Sequence, residues 1–204
     1  MSASAAVHKG LPVLHFATEA EWDAWLVENG GRVAGIWLKL AKKGSGANSV
    51  TKAEAIVAAI CHGWIDGQIN PLDEQSWLIR FTPRGPRSKW SRRNRETAAG
   101  LIVAGRMSEA GRREVERAKA DGRWQAAYAP QSSADVPPDL AAALDKTPAA
   151  KAFFATLTGA NRYAVLYRVH DAKRPDTRAK RIAKFVEMLA AGETVHGKRA
   201  RRSP

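Results

Sequence analysis

The chain has 204 residues, 45% of them apolar, which is enough for a real core in one domain or in one domain with an elaborated end. Its 33 basic residues outnumber 20 acidic ones for a formal charge of +13, and its single cysteine, Cys61, excludes an internal disulfide. With no apolar run of about 18 residues and no basic-then-apolar leader, a membrane-spanning or exported protein is not expected, and a cytoplasmic one is.

Residues 1–10 read as a disordered leader and LPVLHF at 11–16 as a short first strand. Thr18 with Glu21 forms a capping box, and Trp22, Trp25 and Leu26 then recur at helical spacing until Asn29-Gly30-Gly31 stops the helix. In RVAGIWLKLAKK, Ile36, Leu38 and Leu40 alternate with Trp37 and Lys39, which predicts a strand. A second capping box, Thr51 with Glu54, opens a helix whose apolar stripe is read as Ala53, Val57, Ile60 and Cys61. Gly63 ends it, and GWIDG follows as an expected sharp turn. In QSWLIRFT, the side chains of Trp77, Ile79 and Phe81 point to one strand face and those of Leu78, Arg80 and Thr82 to the other.

From Ser91 the signals turn helical. SRRNRETAAGLIVAG and SEAGRREVERAKADG are followed by the polar connection PQSSADVPP and three further helices between about 138 and 191. In the last of these Ile182, Phe185, Val186 and Leu189 form an apolar stripe beside Arg178, Lys180, Arg181 and Lys184, a pattern read as packing on its own domain. The preceding helix, with Tyr163, Leu166, Tyr167 and His170, reads as core in the same way. The fold class is α/β in the broad α+β sense, a small mixed sheet with helices at 11–90 and a helical C-terminal half. The expected organisation is a leader at 1–10, a core with helical extension at 11–130, a linker at 131–138, a helical region at 139–192 and a basic disordered tail at 193–204.

Two constellations carry chemistry. Between Arg80 and Arg95 stand seven basic residues (Arg80, Arg84, Arg87, Lys89, Arg92, Arg93, Arg95) and no acid. With this run and the tail removed, the rest of the chain is nearly neutral. Ser91 is placed as an N-cap, so Arg92, Arg93 and Arg95 fall in a first helical turn, where the macrodipole disfavours cations by about 0.3–1 kcal/mol each. Free backbone N–H groups and guanidinium forks together suit a phosphate, carboxylate or sulfate. Pairing of these arginines with Asp73, Glu74 or Glu96, or simple solvation, is the competing expectation.

The second constellation is GWIDG with Gln68, where Asp66 is the candidate acid or base, or else the partner of Arg80 or Arg87. The expected ligand groove thus draws on Trp64, Asp66, Gln68, Arg80, Thr82, Arg84, Arg87, Ser88, Lys89, Trp90, Ser91 and Asn94. Its partner is an anionic small molecule or an anionic group on another protein. Weak nucleic-acid association through the run and the KRARR tail is the further alternative. No P-loop, nucleophile elbow or HExxH is present, the five histidines are scattered, and neither a metal nor a cofactor is expected.

WLKLAKKGSG, TKAEA, HGWIDGQ, RFTPRGPRSKWS, GRMSEAGRREVERAKADGRW and NRYAVLYRVHDAKRPDTRAKRIAKFVEMLA, in that order over residues 12–195, resemble the YdeI/OmpD-associated family of bacteriocin-protection proteins. The resemblance implies a bacterial cytoplasmic protein of the stress or envelope-associated kind. It brings no cofactor and no catalytic residue.

Overall fold

A computed structural model describes residues 6–131 and 134–197 of the chain. The first half of the expected leader, two residues of the expected linker and the basic tail from Lys198 onward lie outside the described residues. The chain divides between Ala127 and Tyr128 into two compact units.

The N-terminal unit is built on a five-stranded mixed sheet of order β1-β2-β3-β5-β4. Strands β1 (Val7–His8) and β2 (Leu11–His15) form an antiparallel hairpin, so residues 7–10 are not the disordered leader expected of them. Lys9 and Gly10 both hold positive φ, the two-residue turn whose twist matches its flanking strands. What orders this end is the indole of Trp37: His8 packs edge-on against it with ring centroids 4.8 Å apart, and Lys9 Nζ lies 5.8 Å from its centroid. Strand β3 (Ile36–Ala41) runs parallel to β2 and antiparallel to β5 (Ser76–Pro83), and β5 pairs antiparallel with β4 (Trp64–Pro71).

Helices α1 (Glu19–Asn29) and α2 (Lys52–Cys61) cover one face of that sheet. Thr51 and Glu54 close a full capping box, whereas Glu21 reaches back past Thr18 to accept from the backbone N–H of Ala17. Strand alternation buries Ile36, Leu38, Leu40, Ile79 and Phe81 against Trp22, Leu26 and the edge of α2 formed by Ala55, Ala58 and Ala59. Ala53, read as part of that stripe, is exposed. The bulk in this layer comes from indoles, so α2 presents its smallest side chains, and Trp22 Nε1 donates to Ala55 O at 3.1 Å.

Helices α3 (Arg92–Val103) and α4 (Glu109–Ala120) share a second apolar cluster with the end of α2, made of Ile60, Cys61, Trp90, Ala98, Leu101, Met107, Val115 and Ala118. Ser108 caps α4 and also delivers both its backbone N–H (3.1 Å) and its hydroxyl (2.7 Å) to Cys61 O. Gly111 permits that approach, because a Cβ there would meet Cys61 O and Met107 Sδ well inside contact distance.

The C-terminal unit has helices α5 (Pro138–Asp145), α6 (Pro148–Thr156), α7 (Gly159–Asp171) and α8 (Pro175–Ala190). They close on Leu140, Phe154, Val165, Val169, Ile182, Phe185 and Leu189. Four helices stand where three were expected. Pro148 opens a helix of its own, since a first-turn proline gives up no hydrogen bond and presets φ. The apolar stripe of α8 packs inward as expected, and Arg178 forks onto Asp139 (2.5 and 2.8 Å) while donating Nη1 to Val169 O at 2.7 Å. Residues 194–196 are not the loose start of a tail. Val195 packs on this core, and the His196 N–H donates to Asn161 Oδ1 at 2.8 Å. The fold is α+β: a mixed sheet with helices, followed by helices alone.

Overpacking at the α2–α4 contact is expected to cost about 1–3 kcal/mol in Gly111→Ala. Gly100→Ala, on an open helical surface in α3, is expected to gain about 0.5–1 kcal/mol. Urea unfolding followed by tryptophan fluorescence checks the opposite signs.

Candidate functional site

GWIDG is not a turn. Gly63, at φ 75, closes α2, and the chain then runs straight into β4. Trp64 is core rather than groove: it is fully buried, donates Nε1 to Gly30 O at 3.1 Å and meets Trp22 and Trp25 edge-on. Asp66 stands opposite Phe81 in the ladder and is half-buried. Register then slips between Asp66 and Ile69, so Gly67 and Gln68 sit at a bulge and are exposed. Arg80 crosses this bulge, its Nε lying 3.7 Å from where a Gly67 Cβ would be. Arg80 and Thr82 therefore point to the face opposite the one Asp66 shares with Phe81. Among the described residues Asp66 makes no ion pair with Arg80 or Arg87.

The basic run divides into cations turned inward and cations exposed at the surface. Arg84 is only 4% exposed, its guanidinium carbon lies 3.6 Å from the Trp90 ring centroid, and Nη1 donates to Lys89 O at 3.2 Å. Trp90 is itself buried and meets Trp124 edge-on with ring centroids 5.0 Å apart. Ser88 Oγ accepts from the Gly85 N–H at 2.9 Å, and Ser88 O accepts from Arg123 Nη1 at 2.7 Å. Arg95 Nη1 donates to Trp124 O at 3.4 Å. Ser91 caps α3 as expected by accepting from the Asn94 N–H at 3.1 Å. Arg84, Ser88, Trp90 and Ser91 thus build the loop, with Asn94 half-buried in its first helical turn.

Arg87, Lys89, Arg92 and Arg93 are exposed. Among the described residues Arg87, Arg92 and Arg93 have no acidic partner, and the first turn of α3 contains no acid. Asp73, an expected partner, is engaged elsewhere. It accepts from Ser76 Oγ and from the N–H groups of Gln75 and Ser76, bonds that hold its carboxyl below the usual range, and it pairs with Lys39 at 3.9 Å.

The C-terminal unit contains a cleft that the residue pattern does not announce. Tyr163 and Tyr167 are half-buried, Tyr163 lining it and Tyr167 a smaller hollow that Tyr163 also borders, where the helical spacing predicts core beside Leu166. Their period along α7 is that of buried residues, so the periodicity alone gave no sign of it; the only cue was Arg162 and Arg168 flanking the pair. Burial, with smaller contributions from Tyr128 and Tyr167, pushes the Tyr163 phenol up to about 12, and its hydroxyl donates to Ala129 O at 3.1 Å.

The structure is thus a two-unit α+β protein with an arginine surface on its N-terminal unit and an aromatic cleft in its C-terminal one. Residues 133–192, within the C-terminal unit, match the family described as Bacteriocin-protection, YdeI or OmpD-Associated. Residues 14–114, with the strands and the arginine run, match a separate family described as a domain of unknown function (DUF8412). No curated protein and no solved structure matches the chain.

Arg84→Ala is expected to lower stability by about 2 kcal/mol through loss of a desolvated cation–π stack. Arg87→Ala should stay within about 0.5 kcal/mol. Equal losses in urea unfolding would show that Trp90 does not hold Arg84. The raised Tyr163 phenol stabilises the fold fully below the unfolded tyrosine value near ~10, and that stability is lost as pH rises through about 12. Spectrophotometric titration should therefore resolve a late-titrating tyrosine that Tyr163→Phe removes.

Proposed function

We propose that the protein belongs to the stress- or envelope-associated class its C-terminal family description denotes, and that its N-terminal unit receives an anionic group. That group is carried by a small molecule or by a partner protein. One observation carries the reading: Arg87, Arg92 and Arg93 are exposed with no acidic partner among the described residues, while their neighbours Arg84 and Arg95 are consumed inward. Like charges gathered at a helix start repel one another and oppose the macrodipole, and an anion relieves both penalties at once. Gln68, Arg80, Thr82 and Lys89 are further surface candidates on the same unit.

Catalysis by Asp66 is the weaker reading. It needs a cation within reach of the carboxylate to hold substrate, and the strand register keeps Arg80 on the opposite face. The geometry therefore favours binding over acid–base chemistry.

Thermal shift against inorganic phosphate, tripolyphosphate and citrate tests the reading. At a hundredfold excess over Kd, a bound anion should add about 2.7 kcal/mol to the native protein. The Arg87→Ala/Arg92→Ala/Arg93→Ala variant should lose that gain. If no anion stabilises the native protein more than the triple variant, the reading fails.

A further inference from the structure

The N-terminal half of α7 carries a second gathering of recognition side chains, independent of the arginine run. Together with Pro130 and Gln131, residues Gly159, Arg162, Tyr163 and Leu166 line a cleft of about 500 Å3. Gln131 and Tyr163 also belong to a hollow of about 330 Å3, lined further along the helix by Tyr167, Arg168 and His196. Small-molecule sites span about 300–1,000 Å3, so either space holds a ligand of one or two rings.

The lining sets two requirements. The first is aromatic. Tyr163 is fixed by its bond to Ala129 O, its ring centroid is 5.8 Å from that of Tyr167, and Tyr167 in turn meets Tyr128 edge-on at 5.1 Å. Tyr163, braced from behind by this tyrosine contact, is thus the fixed aromatic wall of the cleft, with Leu166 and Pro130 beside it. A hydrated inorganic anion would leave that wall facing water.

The second requirement is negative charge. The Arg162 guanidinium carbon lies 4.5 Å from the ring centroid of Phe154, which is buried. Stacking occupies the flat face of a guanidinium and fixes its plane, which leaves the edge N–H groups for a bidentate acceptor. Arg168 is laid back along α7, with Nη1 donating to Ala164 O at 3.2 Å. Neither arginine is paired with a carboxylate among the described residues. The first turn of α7 contains no acid, and Thr158 supplies it no side-chain cap. A neutral aromatic ligand would leave both cations without a counter-charge.

We propose that this cleft binds a small aromatic carboxylate, its ring against Tyr163 and Leu166 and its carboxylate on the edge of Arg162. The Gln131 amide borders both spaces and can donate to the same carboxylate.

Naphthoate and its neutral isostere naphthamide separate charge from shape, and calorimetric titration of the full chain reads both. Naphthoate should bind once per chain, naphthamide at least tenfold more weakly, and Arg162→Gln should weaken naphthoate at least tenfold. The Arg87→Ala/Arg92→Ala/Arg93→Ala variant should bind naphthoate as the native protein does, which keeps this site distinct from the N-terminal one. Should Arg162→Gln unfold through loss of its Phe154 stack, proton NMR of the native protein serves instead. All seven tryptophans precede residue 125 and all three tyrosines follow it. Naphthoate should therefore shift tyrosine ring resonances and leave the indoles in place. Absence of saturable binding, equal binding of naphthamide, or shifts confined to the indoles would overturn the proposal.

Discussion

One guanidinium laid on one indole organises the N-terminal surface. Arg84 leaves the end of β5 with its backbone N–H on Gly63 O and its side chain buried over Trp90. A charge taken out of water is costly unless something replaces its hydration, and here an aromatic face and the Lys89 carbonyl, which serves Nη1, supply part of that replacement. The stack draws residues 84–90 into a closed loop and seats Trp90 in the cluster shared by α2, α3 and α4. It also fixes where α3 begins, and therefore where Arg92 and Arg93 emerge.

The same loop explains how an acid-free run is tolerated. Arg84, Arg95 and Arg123 all find backbone carbonyls: Lys89 O, Trp124 O and Ser88 O. A carbonyl oxygen serves a guanidinium well when it is already fixed by a turn, because no side-chain freedom is lost in bringing it there. Asp121, which binds Arg123 through Nε, adds a carboxylate to this group. Arg87, Arg92 and Arg93 lie beyond the reach of these partners, so the positive field at the start of α3 is a consequence of local packing.

Regular elements were legible in the residues because their signals are local. Capping hydroxyls at Thr18, Thr51 and Ser91 mark helix starts as they were read, and the alternation in β3 and β5 assigns faces correctly. Where the reading failed, the deciding contact was distant in sequence. The leader hairpin is ordered by Trp37, nearly thirty residues on in the chain. GWIDG became a strand because β5 offers it a ladder, and a bulge at Gly67 and Gln68 absorbs the glycine that had suggested a turn. Within the basic run all the arginines look alike by composition, and only the position of Trp90 reveals that Arg84 is inside. In α7 a helical apolar stripe reads as core in either case, and whether another element covers Tyr163 is decided by packing that periodicity does not encode.

The two units divide their aromatic chemistry, with every indole before residue 125 and every phenol after it. They also divide their family likenesses. The bacteriocin-protection description attaches to 133–192, the helical segment with its tyrosine cleft, whereas the arginine run lies within 14–114, whose family has no assigned function. A role read from the family description therefore bears first on α5–α8 and does not by itself explain why Arg87, Arg92 and Arg93 have no acidic partner among the described residues. Conversely, charge reasoning about the arginine surface does not depend on what bacteriocin protection requires. The cleft is where family likeness and ligand-like geometry fall on the same residues, with Arg162, Tyr163 and Arg168 inside the matched segment.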